Sequence, residues 1–138
     1  MQVPAMNERL QEVVNASWFT IEDEVYIYTS VKQLLYPEKH LVVVQDNTEI
    51  TVVTAESNLQ YIGEYEANKE KWRLLNIRCG KPFYCVGFIA YITGKLAEAG
   101  IDIVLVSSFS NDLVLVMEND FAKSVTLLQS IGFEKRGH

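Results

Sequence analysis

Residues 95–116 read KLAEAGIDIVLVSSFSNDLVLV, and the partition of this stretch decides the fold. Residues 95–99 finish a helical pattern, and Gly100 stops it, because glycine enters the left-handed region without a Cβ clash. Two apolar runs follow, 101–106 and 113–117, separated by a polar knot at 107–112. Side chains alternate along a strand, so Ile101, Ile103 and Leu105 share one face, and Val104 and Val106 the other. Leu113 and Leu115 likewise oppose Val114 and Val116. This hairpin is therefore apolar on both faces. One face packs under helices; the other would be bare in a lone unit, a patch that soluble monomers avoid. Strand 101–109 would also be a long sheet edge, uncharged beyond Asp102. Both difficulties vanish if the sheet continues into another sheet, either this chain's first half through HLVVVQ (40–45) or a second subunit. Cover by the N-terminal helix or by a connector is the plainer alternative.

Outward from the hairpin the pattern is regular. Downstream, ENDFAKSVTLLQSIG forms a helix with Phe121, Val125, Leu128 and Ile131 as its apolar stripe, Gly132 closing it and Asp120 suiting its dipole. Upstream, a helix over 87–99 turns Phe88, Ile92, Leu96 and Ala99 to a core. WRLLNIR (72–78) is a strand, and CGKPFYCV is a loop containing Gly80 and Pro82. Strand–helix–strand–strand–helix is the ferredoxin-like split order, which predicts an α+β fold with an antiparallel sheet and helices on one face.

The first half echoes the second in reduced form. NERLQEVVNA is a short helix with Leu10, Val13 and Val14 on one side. DEVYIYTSV (23–31) is a strand, and Pro37 cuts short any helix in KQLLYPEK. HLVVVQ and EITVVTA (49–55) make a hairpin across Asp46 and Asn47, both suited to a turn. Polar residues 56–70 form a connector with some helical character.

The totals bound the function. The chain has 138 residues, 49% apolar and 22% charged, a globular balance. No apolar run reaches the ~20 residues of a membrane span, and MQVPAMNERLQEVV lacks the basic start and apolar stretch of a signal peptide. A cytoplasmic protein is expected. Net charge is −6, from 18 acidic and 12 basic residues, and NKEKWR (68–73), the densest basic stretch, contains its own Glu. Nucleic-acid binding is not expected without a basic footprint. Cys79 and Cys85 have five residues between them, which matches neither a redox Cys-x-x-Cys nor a zinc knuckle. They read as small, reduced, mostly buried residues, and with His40 and His138 they form no metal set. No metal or other cofactor is expected, and no catalytic residues are assigned. No histidine neighbours a nucleophile, and no glycine-rich loop cradles phosphate.

Two segments suit a small ligand. Backbone amides around Val86, Gly87 and Phe88, at a helix start, favour a carboxylate. Ser107, Ser108, Ser110 and Asn111 offer hydroxyl and amide groups, and Asp112 offers a charge for an ammonium. A ligand with both groups is an amino acid, although a Ser/Asn/Asp cluster between strands also reads as an ordinary turn.

From WRLLNIR through FYCVGFIAYITGKLAEAGIDIVLVSSFSNDLVLVMENDFAKSVTLLQSIGF the chain resembles tandem ACT-domain proteins, in particular small bacterial ones related to the ACT modules of aspartate kinases and arginine-sensor proteins. The resemblance reaches back through FTIEDEVYIYTSV and DNTEITVVTAES, covering residues 19–133, and is most specific in VGFIAYITGKLAEAGIDIVLVSSFSNDLVLV. It implies two ferredoxin-like modules side by side, with an amino acid held at the seam between ACT units. Val86, Gly87 and Phe88 match the family's ligand-facing loop, and Ser107, Ser108 and Asp112 the segment after the second strand. Ser108 stands where the family has threonine, SND replaces the common DTD, and the helix over 5–16 is additional. The expected division is a helical extension (1–18), a degenerate ACT-like module with connector (19–70) and a better-formed ACT module (71–138). The expected function is a non-catalytic, allosteric amino-acid sensor, a homodimer through sheet edges. The alternative is a ligand-free assembly protein that uses the sheet only for pairing.

Overall fold

A computed structural model describes residues 8–80 and 85–137. In chain order the elements are α1 (Glu8–Asn15), β1 (Trp18–Ile21), β2 (Tyr26–Val31), β3 (Val42–Gln45), β4 (Ile50–Ala55), β5 (Tyr65–Ala67), β6 (Trp72–Arg78), α2 (Phe88–Glu98), β7 (Ile103–Ser107), β8 (Asp112–Met117), α3 (Phe121–Ser130) and β9 (Glu134–Lys135). The chain divides into two compact units. One joins the residues up to Glu22 with those from Leu74 onward; the other is Asp23–Arg73. This differs from the division expected at 18/19 and 70/71. Residues 5–7 of the expected N-terminal helix, Pro82 and Tyr84 of the loop, and His138 lie outside the described residues.

The discontinuous unit has the strand order β7-β8-β6-β1-β9. β7 and β8 pair antiparallel with Ile103 opposite Val116, Leu105 opposite Val114 and Ser107 opposite Asp112. That register puts Ile103, Leu105, Val114 and Val116 on one face, and these residues join the core with Leu10, Val13 and Val14 of α1, Phe88, Tyr91, Ile92 and Leu96 of α2, and Leu128 of α3. The three helices therefore share one face of the sheet, as the hydrophobic periodicity requires. Since α1 packs there, it does not cover the opposite face, where Val104, Val106 and Leu113 are half-buried. β7 pairs only with β8 among the described residues, so it is an edge.

Two strands of this unit have no counterpart in the sequence reading. β1 runs antiparallel to β6, with Phe19 opposite Ile77, and β9 runs parallel to β1. β9 has two residues. The amide of Glu134 donates to Ser17 O at 3.2 Å and that of Arg136 to Phe19 O at 2.9 Å, while the Arg136 guanidinium lies 3.9 Å from the centre of the Trp18 ring. Charge over an aromatic face adds about 0.5–1 kcal/mol at an exposed site.

The Asp23–Arg73 unit has the order β3-β4-β2, and β2 is flanked on its other side by β5 and then by Trp72. β2 begins at Tyr26 rather than at residue 23, and the connector contains β5. Where a crossover helix belongs, the chain makes only the 3-10 turns Pro37–Lys39 and Glu56–Tyr61. Pro37 does not cut a helix short as expected: it is the first residue of its turn, where a missing N–H costs nothing, and Tyr36 before it is left-handed, so no helix runs in from upstream. The core is small, with Val31, Val52 and Ile62 buried and Leu34, Val43, Ile50 and Leu59 packed against them. His40 adds a polar clamp: one ring nitrogen lies 2.9 Å from Thr54 Oγ1 and the other 2.8 Å from Leu35 O. A carbonyl only accepts, so Nε2–H donates to Leu35 and Nδ1 accepts from the buried Thr54 hydroxyl.

Candidate functional site

The β7–β8 hairpin ends in a tight tip. The Ser108 amide donates to Asn111 O at 2.8 Å, and the Asn111 amide donates to Ser108 Oγ at 3.2 Å. Ser108 and Asn111 are thus engaged with each other. Below the tip, Ser107 Oγ donates to Asp112 Oδ1 at 2.7 Å. Both residues lie on the helix-side face, in register with Leu105 and Val114, so their polar ends point toward the start of α2.

That start is held by Gly87, the N-cap residue, at φ 90°. Other residues are strained in this left-handed conformation, and a Cβ placed there meets nothing within 4 Å; the glycine serves the backbone path, not close packing. Gly87 O accepts the first helical bond, from the Tyr91 amide at 2.8 Å, while the Phe88 amide donates to Cys85 O at 3.1 Å. The expectation of three open amides at 86–88 is therefore corrected at Phe88, whose amide is engaged in closing a turn. The Phe88 ring is 3% exposed and meets Phe133 edge-on at 5.8 Å, which anchors this end of α2 in the core.

Between the tip and the helix lies a cleft of about 320 Å³. Cys79, Cys85, Phe88, Ile89 and the hairpin residues 107–112 line it. The structure therefore brings together Phe88, Ser107, Ser108, Ser110, Asn111 and Asp112. Val86 and Gly87 sit at the helix start but do not line the cleft, and Val86 is 99% exposed. Phe109, at the hairpin tip, is 100% exposed. Among the described residues Asp112 is the one charged side chain in the lining, so an anionic ligand group would depend on backbone amides. The thiol of Cys79 is pushed up to about 11, first by burial, then by the charges of Cys85 and Asp112, against a hydrogen bond with Ser17.

The sequence places Cys85 in core or pocket lining and misses Cys79 and Ile89 as cleft residues. Cys85 and Ile89 carry a signal, since both flank the expected ligand loop; Cys79 carries none, because only the fold brings the end of β6 to this place. Among the described residues no group of His, Cys, Asp and Glu could hold a metal ion. A larger hollow of about 490 Å³ lies in the Asp23–Arg73 unit beside the β3–β4 turn. Its Asp46 carboxylate is occupied, accepting from the amides of Thr48 and Glu49 and from the Thr48 hydroxyl at 2.8–2.9 Å.

Residues 68–130, a little under half of the chain, match the family described as ACT domain. The chain therefore carries an ACT-domain match over the stretch from β6 to α3. Its fold is similar to that of a Vibrio cholerae protein of unknown function, with a TM-score of 0.78 at 17% identity, covering 91% of this chain and 97% of that one. An Agrobacterium tumefaciens protein gives 0.72 at 18% identity, covering 88% and 93%. The ligand-free regulatory subunit of aspartate kinase from Thermus thermophilus gives 0.61 at 8% identity, covering 82% and 95%. Among curated proteins no sequence matches the chain. No helix among the described residues is long and apolar enough to cross a membrane.

Proposed function

We propose that the chain is a non-catalytic regulatory module that binds a small zwitterion, most simply an amino acid, at a seam between ACT units, and that it works as two ACT-like modules in tandem. The observation that carries this reading is the cleft in which the Ser107–Asp112 pair faces the start of α2. Asp112, with Ser107 beside it, takes the ammonium within the cleft, and the carboxylate reaches past the lining to the backbone of Val86 and Gly87 at the start of α2. The seam is formed with a second copy through the open edge of β7, whose residues 103–106 are apolar and uncharged. A ligand held there shifts the equilibrium between two packings by its differential affinity for them. The tandem arrangement is supported by the Asp23–Arg73 unit, where a strand, a turn, a hairpin, a turn and a strand follow in the ferredoxin-like sequence with both helices shortened to 3-10 turns.

A thermal-shift screen against the twenty amino acids tests the ligand. Saturation at a hundredfold over Kd adds about 2.7 kcal/mol, a rise in melting temperature of several degrees for a chain of this size. Asp112→Ala is expected to weaken the binding of any hit more than tenfold in calorimetry, because a charge-assisted contact is lost; an unchanged affinity removes Asp112 from the site.

Phe109 and Val86 favour a second reading, a ligand-free assembly protein. Phe109 in the cleft lining and Val86 at the start of α2 are both fully exposed, and exposed apolar side chains suit a protein surface as well as a small molecule. No thermal shift at millimolar amino acid, combined with a stable dimer that Phe109→Ser disrupts, supports this alternative.

A further inference from the structure

Cys79 and Cys85 are the only cysteines of the chain, and both line the same cleft. Each is half-buried, and neither is in a disulfide. Both also pack against the core shared by the three helices, which limits how far either can move away. Their surroundings differ. Cys79 directly follows β6 and is held as a protonated thiol, up at about 11, mainly by burial. Cys85 lies three residues ahead of α2 and gives its carbonyl to the Phe88 amide. The charge of Cys85 acts on Cys79, as expected of two thiols close in space.

We propose that Cys79 and Cys85 form a redox pair, which a low-molecular-weight disulfide oxidises to an intramolecular disulfide in the lining of the cleft. The Cys85 thiolate attacks one sulfur of the small disulfide, giving a mixed disulfide and releasing one small thiolate. Cys79 then loses its proton to solvent, and its thiolate attacks the Cys85 sulfur and expels the second small thiolate. Two protein thiols are oxidised, one small disulfide is reduced to two thiols, and only the S–S bond stays on the protein. Because Cys79, whose thiol burial holds above its ordinary value, must deprotonate first, closure accelerates as pH rises from neutral. The exchange needs no ligand, so it stands or falls apart from the amino-acid reading. Its consequence for that reading is that oxidation changes the lining of the cleft that also contains Asp112.

The test treats the reduced full-length chain with glutathione disulfide and follows intact mass, with peptide mapping under non-reducing conditions. The wild type is expected to end with its mass lowered by the two thiol hydrogens and with Cys79 and Cys85 in one linked peptide. Cys79→Ser is expected to stop at a stable glutathione adduct on Cys85, and the closure rate of the wild type to rise as pH is raised from neutral. A wild type that keeps the adduct on Cys85, or that stays fully reduced, overturns the pair. The wild-type measurement is decisive by itself, whether or not the variant folds.

Discussion

At Gly80 a single hydrogen atom decides the packing. A Cβ there would lie 2.8 Å from the Ala16 Cβ and 2.9 Å from the Ala16 backbone, while the Gly80 amide donates to the buried Ser17 Oγ at 2.6 Å. Gly80→Ala must push backbone apart, and overpacking of this kind costs about 1–3 kcal/mol; the melting temperature is expected to fall by several degrees, and an unchanged value would show that the α1–β1 corner yields freely. His40 makes the matching case for polarity. His40→Phe leaves the Thr54 hydroxyl and Leu35 carbonyl without their ring partner, and unpartnered buried groups cost about 1–3 kcal/mol. Chemical denaturation of the variant checks it. Asp46 sets a pH dependence. Hydrogen bonds from the Thr48 amide, then the Thr48 hydroxyl and the Glu49 amide, hold its carboxyl below the usual value. Its contribution is therefore complete above the unfolded-state pKa and lost as pH falls through the lower folded one. Amide exchange at Thr48 and Glu49 should accelerate, relative to the rest of β4, on acidification across that window, and should lose this dependence in Asp46→Asn. None of these three contacts is legible as such in the sequence. The turn at Asp46 is, because aspartate bonds its own main chain within three residues. The Gly80–Ala16 and His40–Thr54 approaches join positions far apart in sequence.

Among the elements, legibility follows length and periodicity. α2 and the β7–β8 hairpin stand out because their apolar positions repeat at 3.6 and 2 over many residues, and Gly100 follows α2 at φ 75°. Leu96, at the centre of the α2 stripe, is fully buried, and Leu96→Ala is expected to cost about 2–5 kcal/mol, read as a lowered denaturation midpoint. β1 and β9 are not legible. With four and two residues, they are too short to show a period, and their pairing is what makes them strands. The same holds for β5, three exposed residues aligned on β2. The candidate site divides in the same way: its hairpin half is evident from the polar knot between two apolar runs, whereas the contribution of β6 depends on tertiary placement.

For the whole molecule the strand order makes a sharper statement than the domain boundaries. Ile21 pairs with Leu75, so the two ends of the Asp23–Arg73 unit leave the other unit at neighbouring positions. A chain in which 23–73 is replaced by a short hairpin turn is expected to fold cooperatively, with an ordered amide spectrum. A fragment beginning at residue 68, although it contains the whole family match, is expected to remain unfolded or aggregate, since it lacks Phe19 and exposes the side of β6 that β1 covers. A well-folded fragment would show β1 to be dispensable.

The insertion of β1 between β6 and β9 also has a consequence in time. Synthesis delivers α1 and β1 well before their partners, yet Phe19, wholly buried in the finished protein, is opposed by Ile77 of β6, and β9 follows later still. Until β6 emerges, β1 lacks both strands that flank it in the finished sheet. Slow elongation across the middle of the message prolongs that exposure, and a chaperone bound near the ribosome exit would find its binding site there.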